Sequence, residues 1–232
     1  MMYVRKATDR GSADHGWLQS SHTFSFADYY DPNFMGFRSL RVINEDYIAP
    51  GGGFPTHGHR DMEIVSYVIQ GVLEHRDTLG NKAQITPGMI QKMSAGTGIR
   101  HSEYNASSQE TTRLLQIWIE PNELGIAPNY GEKSFEKEIE AGELVLLASS
   151  TGEKGSIKLY QDAKIFVGKT KQSRSQVYCL GSRRYAWIQM IEGTLTVNGE
   201  VLLKSDGVAI SHEENLELEL AAGSEFLLFD LA

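Results

Sequence analysis

Short runs of alternating or continuous apolar residues, broken every few positions by glycine, proline or asparagine, fill this chain of 232 residues. Thr23-Phe24-Ser25-Phe26 alternates as a half-buried strand does, and Asp31-Pro32-Asn33 marks a turn before a strand at Leu40-Arg41-Val42-Ile43. Glu63 to Ile69 is rich in Ile, Val and Tyr, side chains that suit a pleated, packed surface. After Gly71, Val72 to Arg76 returns as a strand into a turn at Leu79-Gly80-Asn81, and Pro87-Gly88 precedes Met89 to Ser94. Leu114 to Ile119 is the last strong strand of this half. Between Pro121 and Lys133 the pattern loosens around Asn122, Gly125, Asn129 and Gly131, as a connection does. A short helical turn is expected over Ser134 to Glu140, then strands at Leu144–Leu147 and Ile157–Tyr160. No segment sustains a helical period. Many short strands at regular turn spacing predict an all-β barrel or sandwich.

The second half repeats the first. Ile188-Gln189-Met190-Ile191-Glu192-Gly193 corresponds to the run ending at Gly71, and the hairpin signal Asn198-Gly199 stands where the first half has Gly80-Asn81. Two barrels follow, expected over residues 1–121 and 122–232, the second including the connection. Aligning Gly193 with Gly71 sets Cys179, Gly181 and Tyr185 opposite His57, His59 and Glu63. Aligning Gly207 with Gly88 sets Leu220 and Ala222 opposite His101 and Glu103. The second half is thus expected to keep the fold without metal ligands, with His212 a surface histidine.

Composition narrows the function. A net charge of −8 argues against broad binding to nucleic acid or an anionic membrane, which needs a basic surface, and leaves a protein partner open. One cysteine, Cys179, cannot form an internal disulfide and is expected as a buried small hydrophobe. The N-terminal residues lack the apolar core of a signal peptide, and no apolar run approaches the roughly 20 residues of a membrane span. A cytoplasmic protein is expected.

The candidate chemistry lies in Gly51-Gly52-Gly53-Phe54-Pro55-Thr56-His57-Gly58-His59-Arg60-Asp61-Met62-Glu63. In a strand, side chains at i and i+2 share a face, so His57 and His59 can aim two imidazoles at one point. His101 and Glu103 repeat that spacing after Gly96 and Gly98. Either pair alone reads as solvated surface; together they offer three imidazoles and one carboxylate to a divalent transition metal. By parity Glu63 is a second candidate carboxylate. Phe54, Met93, Gln116 and Trp118 are pocket or core candidates, and Arg100 is a candidate for steering an anion.

Gly51…His57-Gly58-His59…Glu63 and Gly98…His101…Asn105 resemble the two motifs of the cupin barrel. Gly71 lies one residue later than the usual cupin spacing, and Gly96 replaces a usual proline. With those departures, Asp31-Pro32, Tyr67-Val68-Ile69-Gln70-Gly71, His75-Arg76-Asp77 and Ala95-Gly96-Thr97-Gly98-Ile99-Arg100-His101-Ser102-Glu103 are similar to the pirin family over essentially the whole chain. The resemblance implies a bicupin, two antiparallel jelly-roll barrels with one metal held in the first. It implies His57, His59, His101 and Glu103 as ligands, with Glu63 orienting an imidazole. Iron(II) is the first expectation, with nickel, cobalt, copper, manganese or zinc as alternatives. The implied activity is quercetin 2,3-dioxygenase, in which a flavonol, dioxygen and Glu103 as base lead to ring cleavage and release of carbon monoxide. Two alternatives remain: a non-enzymatic metal-binding regulator acting through protein contacts, and a cupin enzyme of another reaction type. A monomer is the default expectation.

Overall fold

In the computed structural model, which describes every residue from Met1 to Ala232, the alternating pattern resolves into twenty-two short strands. The first twelve are β1 Met2–Arg5, β2 Gly11–Asp14, β3 Leu18–His22, β4 Leu40–Ile48, β5 Gly53–His59, β6 Glu63–Gln70, β7 Leu73–Asp77, β8 Lys82–Ile85, β9 Met89–Ser94, β10 Ile99–Asn105, β11 Thr112–Ile119 and β12 Asn129–Ser134. The helical turn α1 spans Glu136–Glu140, inside the expected stretch. Then come β13 Val145–Ser149, β14 Ile157–Lys158, β15 Ala163–Lys169, β16 Arg174–Cys179 and β17 Tyr185–Glu192. The chain closes with β18 Thr194–Val197, β19 Glu200–Leu203, β20 Gly207–Ile210, β21 Asn215–Leu220 and β22 Glu225–Leu231. No helix is long and apolar enough to cross a membrane.

The strands form two compact units. The first barrel comprises Gly11–Glu136 with Leu159–Gln161; the second comprises Met1–Arg10, Lys137–Lys158 and Asp162–Ala232. Each holds a seven-stranded and a four-stranded sheet. In the first barrel the orders are β12-β9-β6-β11-β4-β3-β2 and β5-β10-β7-β8. In the second they are β1-β20-β17-β22-β15-β13-β14 and β16-β21-β18-β19, the same path with new edge strands. The sequence placed the division after residue 121. Strand β12 nevertheless belongs with the first barrel because it pairs antiparallel with β9 from Asn129↔Ser94 to Ser134↔Met89. The matching edge of the second sheet is filled by β1, from the start of the chain, along β20.

Burial follows the pattern that wrote the strands. In β21 the leucines of Asn215-Leu216-Glu217-Leu218-Glu219-Leu220 are buried and the alternate residues exposed. Strand β6, flanked by β9 and β11, is buried from Glu63 to Val68 and reads as a continuous apolar run. The second core joins leucines of the small sheet to Ile188, Phe226 and Leu228 of the large one. In the first barrel Leu73 and Ile85 meet Leu18, Ile48, Val68 and Leu114 in the same way. Thr23–Phe26 departs from expectation. Strand β3 ends at His22, and the chain folds into a loop in which the Ser25 hydroxyl accepts the Asp31 N–H at 2.8 Å and donates to the Asp31 carbonyl at 2.9 Å. Local hydrogen bonding of this kind competes with a ladder.

The glycine that closes β6 has two reasons to be glycine. Gly71 sits at φ +81°, and a Cβ there would fall 2.6 Å from Thr112 Oγ1 and 2.9 Å from Thr112 Cα. Gly193 repeats the arrangement against Ser224. Gly71→Ala is therefore expected to lower stability by about 2 kcal/mol or more in urea denaturation, from strain and clash together. Gly80→Ala, at φ +92° with open space around its Cβ, should cost about 1 kcal/mol. Equal costs at the two positions would show that the contact with Thr112 does not matter.

Candidate metal centre

Strand β10 runs between β5 and β7, and its register assembles the site. His101 lies opposite His57 on one side and Asp77 on the other, while Glu103 lies opposite His75. Between His101 and Glu103 the partner on β5 moves from His57 to Phe54, a bulge containing Pro55 and Thr56. Proline has no N–H for a ladder and is tolerated at such a bulge, which re-aims the side chains beside it. Gly53 permits the close approach, since a Cβ there would lie 2.4 Å from the Glu103 carbonyl oxygen.

Three of the four expected ligands meet tip to tip. His59 Nε2 is 3.0 Å and His57 Nε2 is 3.1 Å from His101 Nε2. The outer ring nitrogens determine what those tips carry. His57 Nδ1 donates to the Pro55 carbonyl at 2.8 Å, so in the neutral ring Nε2 is a bare lone pair. On the far side of His101, the Asp77 carboxylate accepts the Nε2–H of His75 at 3.1 Å, and both side chains are fully buried. His75 Nδ1 is then an acceptor facing His101 Nδ1 at 3.5 Å, which places the His101 proton on Nδ1 and leaves its Nε2 bare as well. Two bare lone pairs 3.1 Å apart repel unless a cation lies between them. Two nitrogens bound to one ion at about 2.1 Å and 90° apart stand about 3.0 Å from each other, against about 3.4 Å at a tetrahedral angle. The three imidazoles are thus close enough to bind one transition-metal ion.

Glu103 joins from the side. Its carboxylate and the ring nitrogens of His101 and His75 lie within 4.8 Å of one another, and it lines the same cavity as His57 and His59. A row of side chains across the large sheet, Gln116↔Ser66↔Gln91, holds it. Gln116 Nε2 donates to Oε2 at 2.7 Å and Gln91 Nε2 to Oε1 at 3.0 Å, while the single Ser66 hydroxyl proton has Oε1 at 3.1 Å and Gln116 Oε1 at 2.9 Å as acceptors.

Glu63 is placed elsewhere. Instead of orienting an imidazole, its Oε2 accepts from Ser94 Oγ at 3.0 Å and the Tyr160 N–H at 3.2 Å. Burial raises its pKa, opposed by the Lys92 ammonium and these hydrogen bonds. Parity alone put it with the histidines, but Glu63 belongs to the large sheet and pairs with Ser94 and Ile119. The residues that do support an imidazole are His75 and Asp77, with Tyr130 stacked on His75 at 4.8 Å. The i, i+2 spacing of His75 and Asp77 was the available signal. Phe54, Gln116 and Trp118 line the cavity, whereas Met93 is buried in an apolar cluster. Cys179 is exposed rather than buried, and His212 is exposed. In the second barrel, the ladders counted from Gly193 put Leu216 and Leu218 in the places of His101 and Glu103, not Leu220 and Ala222. The ladders set Gly207 with Ile90 rather than Gly88, and two fewer residues separate it from Leu216 than separate Ile90 from His101, which displaces a count made from Gly207. Tyr178, not Cys179, faces Leu216.

A cavity of about 770 Å³ opens onto His57, His59 and Glu103. Its walls include Trp17, Phe26, Tyr29, Phe54 and Trp118. Trp118 meets His59 edge-on at 5.0 Å and Phe26 at 5.4 Å.

Burial, then repulsion from His101 and His57, lowers the His59 pKa to about 4, against a smaller opposing pull from Glu103. Burial, then His57 and His75, lowers that of His101 to about 3. Both rings therefore stay neutral well below the usual imidazole pKa of about 6.5. In the metal-free protein the unfolded chain binds these protons first, so stability is expected to fall as pH drops from about 6.5 towards 3. Metal occupancy, read by elemental analysis after dialysis at each pH, should fall on acidification as the ligand rings take up protons, because only a neutral imidazole binds the ion. Full occupancy under strongly acidic conditions would contradict histidine ligation. Asp77→Asn should weaken metal affinity by about 10–100-fold in a chelator competition, the usual cost of losing a ligand's supporting partner.

The pirin sequence profile matches residues 3–119, and that of the quercetinase C-terminal cupin domain matches residues 146–231. A quercetin 2,3-dioxygenase of Escherichia coli K12 is 50% identical over 231 residues, covering 100% of this chain and 99% of the relative. A putative quercetin 2,3-dioxygenase of Pasteurella multocida is 45% identical over 236 residues, covering 100% of each. The crystal structure of the bacterial pirin YhhW from Escherichia coli in complex with nickel(II) superposes with a TM-score of 0.95 at 49% identity, covering 100% of this chain and 99% of that one. Fold, sequence and assembled histidines agree, and the chain belongs to the pirin family of bicupins.

Proposed function

We propose that this protein is a metal-dependent dioxygenase that opens the central ring of a flavonol such as quercetin, with release of carbon monoxide. The observation that carries the reading is the pair of bare imidazole nitrogens of His57 and His101, facing each other at 3.1 Å beside an aromatic-walled cavity. His57, His59 and His101 would hold the ion, with Glu103 as fourth ligand. Nitrogen and oxygen donors suit iron(II), and the same set accepts nickel, cobalt, copper, manganese or zinc. The bound ion supplies a Lewis acid and a template for substrate and dioxygen.

The chain supplies the rest. Trp17, Phe26, Phe54 and Trp118 offer flat apolar surface to a planar ring system and exclude water around it. Glu103 accepts from Gln116 Nε2 and Gln91 Nε2, and the single Ser66 hydroxyl proton lies between Glu103 Oε1 at 3.1 Å and Gln116 Oε1 at 2.9 Å. Glu103 therefore has room to serve as ligand and as acceptor of the flavonol 3-hydroxyl proton when the Ser66 hydroxyl turns to Gln116.

The test is aerobic turnover of quercetin by the protein loaded in turn with each candidate ion, with carbon monoxide measured as product. His57→Ala and His101→Ala are expected to lose metal and turnover together. Glu63→Gln, which touches none of the imidazoles, should cost much less than the ~10–100-fold of a supporting partner. Full metal occupancy without turnover by any loaded form would reject the dioxygenase reading and favour a binding role.

A further inference from the structure

The large-sheet wall of the cavity carries polar groups outside the histidine cluster, among them Asn44. Asn44 lies on β4, opposite His22 on β3 and Gln116 on β11, and it is 3% exposed. Its neighbours determine which way its amide points. The Asp46 carboxylate only accepts, and the Ser20 hydroxyl donates to it at 2.5 Å. With its proton so committed, Ser20 Oγ accepts from His22 Nδ1 at 3.3 Å. His22 Nδ1 therefore carries the hydrogen, and the Asn44 atom facing it at 2.9 Å is Oδ1. This leaves Asn44 Nδ2 as a donor that no protein acceptor reaches, on a buried residue lining the cavity. The indole Nε1–H of Trp118, another lining residue, also has no acceptor. Buried polar groups without partners are rare, and in a cavity they point to what a ligand brings. Here the ligand must bring an acceptor.

Position defines that acceptor further. Asn44 is the direct cross-strand neighbour of Gln116, which grips Glu103 at 2.7 Å. Such neighbours stand about 5 Å apart at Cβ. A ligand with one oxygen at the histidine cluster therefore turns an adjacent oxygen towards Asn44. We propose that Asn44, locked by Asp46, Ser20 and His22, orients the substrate by donating to its carbonyl oxygen, and so selects planar aromatic ligands with a hydroxyl next to a ketone. This deepens the dioxygenase reading and rests on it for the use of the cavity, but not for the chemistry that follows binding.

Asn44→Asp is the informative variant: it keeps an acceptor for His22 and replaces the donor by a second acceptor. Asn44→Leu removes the donor without adding charge. The probes are quercetin and tropolone, a small ring with adjacent hydroxyl and ketone oxygens, bound to the metal-loaded protein and followed by quenching of tryptophan fluorescence. Metal content is measured alongside. Tropolone affinity is expected to fall about 3–10-fold in Asn44→Leu, the loss of one neutral hydrogen bond, and more than about tenfold in Asn44→Asp. Where quercetin is turned over, KM should rise with less change in kcat. If Asn44→Asp fails to fold or loses metal, Asn44→Leu decides. Wild-type affinity in both folded, loaded variants overturns the proposal, as does failure of the loaded wild type to bind either probe. Asn44-dependent tropolone binding without quercetin turnover would support this inference while rejecting the dioxygenase reading. Quercetin turnover with unchanged KM in both variants would do the reverse.

Discussion

Repulsion between two imidazole lone pairs is the constraint on which this molecule is built. With both rings neutral and each ring's hydrogen directed to its outer partner, the Pro55 carbonyl for His57 and His75 Nδ1 for His101, His57 Nε2 and His101 Nε2 face each other as bare lone pairs. Holding that geometry takes structure on both sides. On the β5 side, the bulge at Pro55 supplies both the turn of the strand and the carbonyl that fixes His57. On the β7 side, Asp77 fixes His75, and His75 fixes His101. Asp77 is itself anchored by the backbone N–H groups of Leu79 and Asn81. The preference for a cation is thus written into a hairpin turn and a bulge, well away from the ring tips.

The two sheets of the first barrel divide the work. The four-stranded sheet carries the histidines, and the seven-stranded sheet carries the row that receives Glu103. A carboxylate that is 1% exposed needs hydrogen bonds to compensate for lost water, and the Gln91 and Gln116 amides of β9 and β11 provide them, with the Ser66 hydroxyl of β6 in reach. Continuing that row across the sheet leads from Gln116 to Asn44 and His22. The row that holds the Glu103 carboxylate and the proposed donor Asn44 therefore lie on one line of adjacent positions. Displacing Gln116 would disturb both.

Much of this was legible in the chain. The apolar runs foretold β4, β6, β7, β9, β11, β13, β14 and β17, and the two i, i+2 pairs named the three histidines that meet. What failed depended on pairing across strands. Glu63 has the right parity but lies in the other sheet, and nothing local distinguishes it from Glu103. His75 and Asp77 carry the same i, i+2 signature as the ligands, yet their role appears only when β7 is set against β10. Thr23–Phe26 alternates like a strand, and the Ser25 hydroxyl diverts it into a loop. The division between barrels was misplaced because the edge strand β12 lies beyond the connection that seemed to end the first barrel.

The second barrel shows why such a site is kept or lost as a unit. Its ladders repeat those of the first, including the register shift near the end of the strand before Gly193. Where the first barrel has Gln116, Ser66 and Gln91 in a row, the second has Leu228, Ile188 and Val208. Leu216 and Leu218 stand for His101 and Glu103, and Phe166 stands for Asn44. Leu228, Ile188, Val208, Leu216 and Leu218 belong to one buried cluster, with Phe166 packed against it. A partly satisfied polar network in a core is less stable than an apolar one, and replacing Glu103 alone would strand the Gln116 amide that donates to it at 2.7 Å. Replacing all of its partners gives a packed interior with the same strand order. The chemistry thus resides in a handful of inward positions that change together, and the fold accepts either set.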